Sequence, residues 1–169
     1  MTVATESRCQ VDLDVHSGRD GLPQHAAFVR WIAAALRDEK PGAEVSVCVV
    51  DEGESQSLNA RYRGKDKPTN VLSFPADLPA DLALPLLGDL VICAPVVIFE
   101  AREQGKTLEA HWAHMVVHGT LHLLGYDHID EADADLMEAL ETRILTGLGY
   151  PAPYDLTAAA MDASADSIH

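Results

Sequence analysis

Five of the chain's eight histidines, His111, His114, His118, His122 and His128, fall within one short stretch, and that stretch constrains its own geometry. Thr107 is a candidate N-cap and Gly125 a candidate left-handed stop, so the spacing predicts a helix from Thr107 through Leu124. From position 118 to 128 the chain reads H-x-x-x-H-x-x-G-x-x-H. On a helix, His118 and His122 stack on one face a turn apart and can both reach a single ion. Gly125 can adopt positive φ and turn the chain, bringing His128 back toward the same point. Three neutral imidazoles leave a coordination position open, the arrangement of a catalytic Zn²⁺ centre and not of a closed structural one, so one Zn²⁺ per chain is expected. At about 100° per residue, His111 and His114 share an arc of about 80° with His118 and His122. They do not sit with the glycine turn. They are expected to be hydrogen-bonded helix histidines outside the ligand set.

The surrounding pattern predicts an α+β fold. Val11, Leu13 and Val15 alternate with Asp12, Asp14 and His16 as in a half-buried edge strand. Phe28, Trp31, Ile32, Ala35 and Leu36 mark a helix between Pro23 and Glu39, and Pro41 and Gly42 stop it. Val45, Val47 and Val49 predict a central strand, Asp51 to Tyr62 a short helix, and Val71 to Phe74 and Leu87 to Cys93 two further strands. Between those last two, Pro75, Pro79 and Pro85 imply a long irregular connection. A helix from Pro95 to Gln104 precedes the histidine helix. A last helix from Glu131 to Leu145 carries Leu136, Met137, Leu140, Ile144 and Leu145 on one face; Asp133, Asp135, Glu138 and Glu141 are expected on its solvated face, with Asp127, Asp130 and Glu131 before them. The expectation is a single mixed sheet of about four strands with helices packed on it and the metal site on the penultimate helix and following turn. With 169 residues, 47% of them hydrophobic, the chain has room for one globular domain. That metallohydrolase-like domain is expected over 1–152, followed at 153–169 by an acidic tail without Lys or Arg, expected to be disordered. Cys9, Cys48 and Cys93 show no C-x-x-C spacing and read as reduced core thiols.

Twelve Lys+Arg against 27 Asp+Glu give a net charge of −15, which disfavours coating nucleic acid by bulk charge. Any such contact needs a local basic patch. Arg61, Arg63, Lys65 and Lys67, with Asp66 the one acid among them, supply it: 4 − 1 = +3. Taken alone, that patch fits a solvated loop as well as a phosphate-binding one. Beside a metal site that activates water, a phosphodiester substrate explains both features together. Arg63 is then expected to grip the scissile phosphate as the catalytic cation, and Arg61, Lys65 and Lys67 to steer the strand. Pro68, Thr69 and Asn70 follow, able to bond phosphate oxygens or the turn itself. No apolar run approaches the ~18 residues that span a bilayer, and no secretory pattern opens the chain, so a cytoplasmic protein without membrane contact is expected.

The histidine spacing also occurs in metzincin proteases, but Gly119 stands where their general-base Glu would be, and glycine cannot take a proton. Asp127, beside the third histidine, fits either an imidazole-orienting role or a turn that bonds its own backbone. Asn59-Ala60-Arg61-Tyr62-Arg63, then Pro68-Thr69-Asn70-Val71-Leu72-Ser73-Phe74-Pro75, Gly88-Asp89-Leu90 and the His118–His128 motif together resemble the YbeY family of bacterial endoribonucleases and ribosomal RNA maturation factors. The resemblance covers roughly Val11 to Tyr150. It implies zinc on His118, His122 and His128 and a functionally important Arg63. It further implies action on single-stranded RNA in small-subunit (16S) rRNA 3′-end maturation and ribosome quality control, with the small ribosomal subunit and its assembly factors as partners and no DNA substrate. The attacking oxygen stays open between a metal-activated water and the RNA's own 2′-hydroxyl. Two rival readings are a metzincin-like protease with a replacement base and a non-catalytic ribosome-assembly factor with a structural zinc.

Overall fold

The alternation of Val45, Val47 and Val49 with Ser46 and Cys48 becomes a central strand because its two faces are covered differently. A computed structural model of the protein describes residues 9–37, 39, 42–76, 85–126 and 131–154. Among these, the order is β1 (Cys9–Val15), α1 (His25–Leu36), β2 (Ala43–Val50), α2 (Glu52–Arg63), β3 (Val71–Pro75), β4 (Leu86–Cys93), α3 (Ala94–Glu103), α4 (Leu108–Leu123) and α5 (Glu131–Gly147). The strands form one mixed sheet in the order β1-β2-β4-β3. β2 pairs parallel with β1 and β4, and β3 runs antiparallel on the outer side of β4. The expected α+β architecture is thus the observed one. The Pro-rich connection predicted between β3 and β4 lies mostly outside the described residues, as do Asp127, His128 and Asp130.

One face of the sheet carries Val45, Val47, Leu90 and Ile92, all at most 1% exposed, and receives α4. That helix is itself covered by α1, α3 and α5. Phe28 and Trp31 of α1 and Trp112 of α4 meet edge to face, at centroid distances of 5.8 Å (Phe28–Trp31) and 5.9 Å (Phe28–Trp112). Such pairs add about 0.5–1.5 kcal/mol each beyond their area burial. The histidine helix is therefore a central, rigid element. The opposite face carries Asp12, Ser46, Cys48, Asp89 and Val91, and Leu58 and Tyr62 of α2 join them in lining an open groove of about 600 Å³.

Gly88 sits where the β2–β4 register skips a residue, between the pairs Glu44↔Leu86 and Val45↔Gly88. A Cβ there would lie 2.5 Å from the Phe74 carbonyl oxygen and 2.8 Å from Leu123 Cδ2, the last residue of α4. The missing side chain lets the end of the histidine helix press onto the sheet. Gly88→Ala is expected to destabilise the fold by about 1–3 kcal/mol through overpacking, read as a lower urea midpoint at unchanged slope.

The last helix departs from expectation on two residues. Leu136 is 52% exposed, whereas Glu141 is fully buried. Glu141 stands four residues after Met137 and three or four before Ile144 and Leu145, within the stripe that faces α4, so its carboxylate is packed inside and not solvated. Tyr154 lies past the expected domain boundary at 152 and is packed against His114 and Glu141. Positions 155–169 of the expected tail lie outside the described residues. Cys9 and Cys93 are buried, but Cys48 is only half-buried, on the grooved face of the sheet.

Candidate metal centre

α4 begins as its sequence dictates: Thr107 Oγ1 accepts from the Ala110 N–H at 3.1 Å. It ends in a glycine turn. Gly125 has φ +105°, its N–H donates to the His122 carbonyl at 3.0 Å, and the Tyr126 N–H donates to the Leu121 carbonyl at 3.0 Å. This pair of bonds is the Schellman arrangement, which satisfies the last carbonyls and reverses the chain directly after His122. Tyr126 is then pinned through its hydroxyl, which bonds Arg37 and Glu39 at 3.1 Å each.

Along α4 the four imidazoles form one continuous file, with ring centroids 6.0 Å apart for His111–His114, 6.2 Å for His114–His118 and 4.7 Å for His118–His122. Their partners separate their roles. His111 Nε2 donates to Glu100 Oε1 at 2.8 Å, and Glu100 in turn accepts from Asn70 Nδ2 at 3.1 Å. This chain ties α4 to the loop before β3. His114 Nε2 donates to Glu141 Oε1 at 3.3 Å, and His118 Nδ1 donates closely to Glu141 Oε2. The Tyr154 hydroxyl completes the carboxylate's shell at 2.5 Å from Oε1.

Glu141 therefore decides the tautomer of His118. With Nδ1 committed as donor, the neutral ring offers Nε2 as a lone pair, and that atom faces His122 Nε2 at 3.2 Å. Two nitrogens on one tetrahedral Zn²⁺, each about 2.0–2.1 Å from it, lie roughly 3.3 Å apart, so the pair is spaced to share an ion. His122 also stands in the last turn of α4, where the helix dipole favours positive charge. His114, His118 and Glu141 likewise bring ligand-type atoms within 4.8 Å of one another and could hold a metal. In that group Glu141 bonds both rings directly, so it can serve either as a ligand itself or as the partner that orients the imidazoles. Sequence reading missed this residue. The available signal was a carboxylate at core spacing in an apolar helical stripe.

Burial alone would raise the Glu141 pKa, but the hydrogen bonds from His114 and His118 outweigh it and hold the carboxylate well below its usual range. Burial pushes His114 the other way for a base, down to about 4, despite the Glu141 bond. Both folded pKa values lie below their unfolded ones, so the unfolded chain takes up protons first on acidification. For His114 the stability is complete above about pH 6.5 and drains away toward pH 4. Metal-stripped protein is expected to lose up to about 1.4 kcal/mol per pH unit in that window, a slope that His114→Asn should flatten in urea titrations.

The basic patch lies elsewhere. Arg61 and Arg63 occupy the last turn of α2, capped by Gly64 at φ 72°, and Lys65 and Lys67 follow; all four are exposed. The loop between α2 and β3 is held from within. Ser55 Oγ donates to the Thr69 carbonyl, Asn59 Nδ2 to the Lys67 carbonyl, and Asn70 Oδ1 accepts from the Val71 N–H. The Asn70 amide is thus spent on the Val71 N–H and on Glu100, and the cations are left outward. α2 and α4 pack on opposite faces of the sheet, and the edge strand β3 joins them. Phe74 meets Tyr62 of α2 at 5.2 Å, while Ser73 Oγ donates to the Gly119 carbonyl of α4 at 3.0 Å. Strand β3 thus contacts α2, which carries Arg61 and Arg63, on one side and the histidine helix on the other.

A family model described as Endoribonuclease YbeY matches residues 20–149. The chain belongs to the YbeY endoribonuclease family. A YbeY relative, the Endoribonuclease YbeY of Cellvibrio japonicus (strain Ueda107), is 55% identical over 150 residues, 88% of this chain and 85% of that protein. The solution structure of TM1509 from Thermotoga maritima matches with a TM-score of 0.57 at 28% identity, covering 80% of this chain and 87% of that one. The YbeY match spans α2, β3, the histidine helix and Glu141 alike. No helix among the described residues is long and apolar enough to cross a membrane.

Proposed function

We propose that this YbeY-family chain is a zinc-dependent, single-strand-specific endoribonuclease, with His118, His122 and His128 as the metal ligands. The observation that carries the reading is the 3.2 Å approach of the His118 and His122 Nε2 atoms, with the other nitrogen of His118 held by Glu141. A zinc ion there supplies Lewis-acid activation of water near neutral pH. Arg63 grips the scissile phosphate and offsets the charge that grows on its oxygens, and Arg61, Lys65 and Lys67 guide the strand over the β3 edge. Arg63→Ala is expected to slow cleavage roughly a hundredfold while leaving the metal content intact; loss of zinc in that variant would contradict the assigned role.

The family motifs support small-subunit rRNA 3′-end maturation and ribosome quality control in the cytoplasm as the setting, with the small ribosomal subunit and its assembly factors as partners. A metzincin base at position 119 itself meets a steric objection. A Cβ on Gly119 would lie 2.8 Å from Leu90 Cδ2 and 3.1 Å from Val71 Cγ2, so this position faces the sheet and has no room for a catalytic carboxylate. Metal analysis beside a single-stranded RNA cleavage assay, before and after chelation, tests the proposal. Chelation should stop cleavage and added Zn²⁺ restore it. A zinc-loaded, folded protein that never cuts RNA would instead identify the ion as structural.

A further inference from the structure

The face of the sheet away from the histidine helix carries a second group of metal-type ligands. Asp14 on β1 and Cys48 on β2 are direct cross-strand partners, and strand alternation puts His16 on the same side as Asp14. His16 Nε2 lies 2.9 Å from Asp14 Oδ2, Cys48 Sγ lies 3.6 Å from His16 Nδ1 and 3.9 Å from Nε2, and ligand atoms of all three residues fall within 4.8 Å of one another. On the other side of the ring, His16 Nδ1 donates to Glu54 Oε1 of α2 at 3.1 Å. Glu54 thus holds one nitrogen of His16 as Glu141 holds one of His118, leaving Nε2 toward the Asp14 carboxylate, with the Cys48 thiol beside the ring.

We propose that Asp14, His16 and Cys48 form a second cation site, taking a borderline or soft divalent transition metal, with Glu54 as the group that orients His16. A tetrahedral zinc-type ion spaces nitrogen and oxygen ligands roughly 3.3 Å apart and nitrogen and sulfur roughly 3.5 Å apart, so these partly exposed side chains would draw together and the His16 ring turn slightly to admit it. Thiolate and imidazole together favour such an ion over Mg²⁺ or Ca²⁺. Burial, then the charges of Glu54, Asp14 and Asp89, push the Cys48 thiol up to about 11, so it is no ready nucleophile. The same negative field attracts a divalent cation. On binding, the ion replaces the thiol proton and the one shared between His16 Nε2 and Asp14, releasing them to solvent. Bound metal would clamp the edge strand β1 to β2 and, through Glu54, to α2.

The test uses full-length, metal-free His118→Ala protein, which removes a ligand of the first site, titrated with Co²⁺ alone. A thiolate-to-cobalt absorption band is expected to appear, to vanish in the added Cys48→Ala or His16→Asn variant, and to need about tenfold more Co²⁺ in Glu54→Gln. Excess Mg²⁺ should not displace it. In the otherwise native chain, Cys48→Ala should leave RNA cleavage unchanged, so this site and the nuclease reading stand or fall separately. Absence of the band, or its persistence in Cys48→Ala, would overturn the proposal.

Discussion

Replacing His118 by alanine is expected to lower cleavage of single-stranded RNA by roughly a thousandfold and to strip zinc from the purified protein. Both effects come from one ring that works at both nitrogens. Nε2 faces His122 Nε2, and Nδ1 donates to Glu141. Alanine removes the first contact and also leaves a fully buried carboxylate with one donor fewer, at a cost of about 1–3 kcal/mol. His118→Asn separates the two losses, because its amide can still donate to Glu141 but offers no imidazole to an ion. The asparagine variant should therefore keep much of the melting temperature and lose the metal. Equal cleavage by wild type and His118→Ala would reject a catalytic centre on this helix.

Glu141→Ala is expected to produce the second large effect, on stability and metal affinity together. The residue is 0% exposed and accepts from His114, His118 and Tyr154. Its removal leaves those three neutral donors without their acceptor, at a cost of about 1–3 kcal/mol for a fully buried one such as His114. It also frees the His118 ring to take the other tautomer or turn, for which a 10–100-fold weaker hold on zinc is expected. Glu141→Gln retains a carbonyl acceptor for one ring and should fall between the two. Calorimetry and zinc titration read both quantities, and a Glu141→Ala protein with unchanged zinc affinity would remove the carboxylate from the site.

Helix α4, its Thr107 cap and the reversal at Gly125 are written in adjacent residues, since capping and left-handed turns are local properties of the backbone. The strands showed equally plainly, through β-branched residues at period two. Leu136 and Glu141 sit on the opposite sides from those that their hydrophobicity alone suggests. A carboxylate in a buried stripe is stable only when it meets donors, and those donors come from α4 and from Tyr154. The groove on the far side of the sheet was likewise silent, because Asp14, His16 and Cys48 become neighbours only once β1 pairs with β2.

By itself the sequence determined the fold class, the histidine helix with its bend, and an isolated cluster of cations in an acidic chain, all consequences of periods and turns that span a few residues. Tertiary structure alone decided that Glu141, 23 positions from His118, sets that ring's tautomer. It alone also set α2, with its cations, and the histidine helix on either side of β3. Both depend on which faces pack together, and packing is chosen by apolar area buried across the whole domain, not by any one segment.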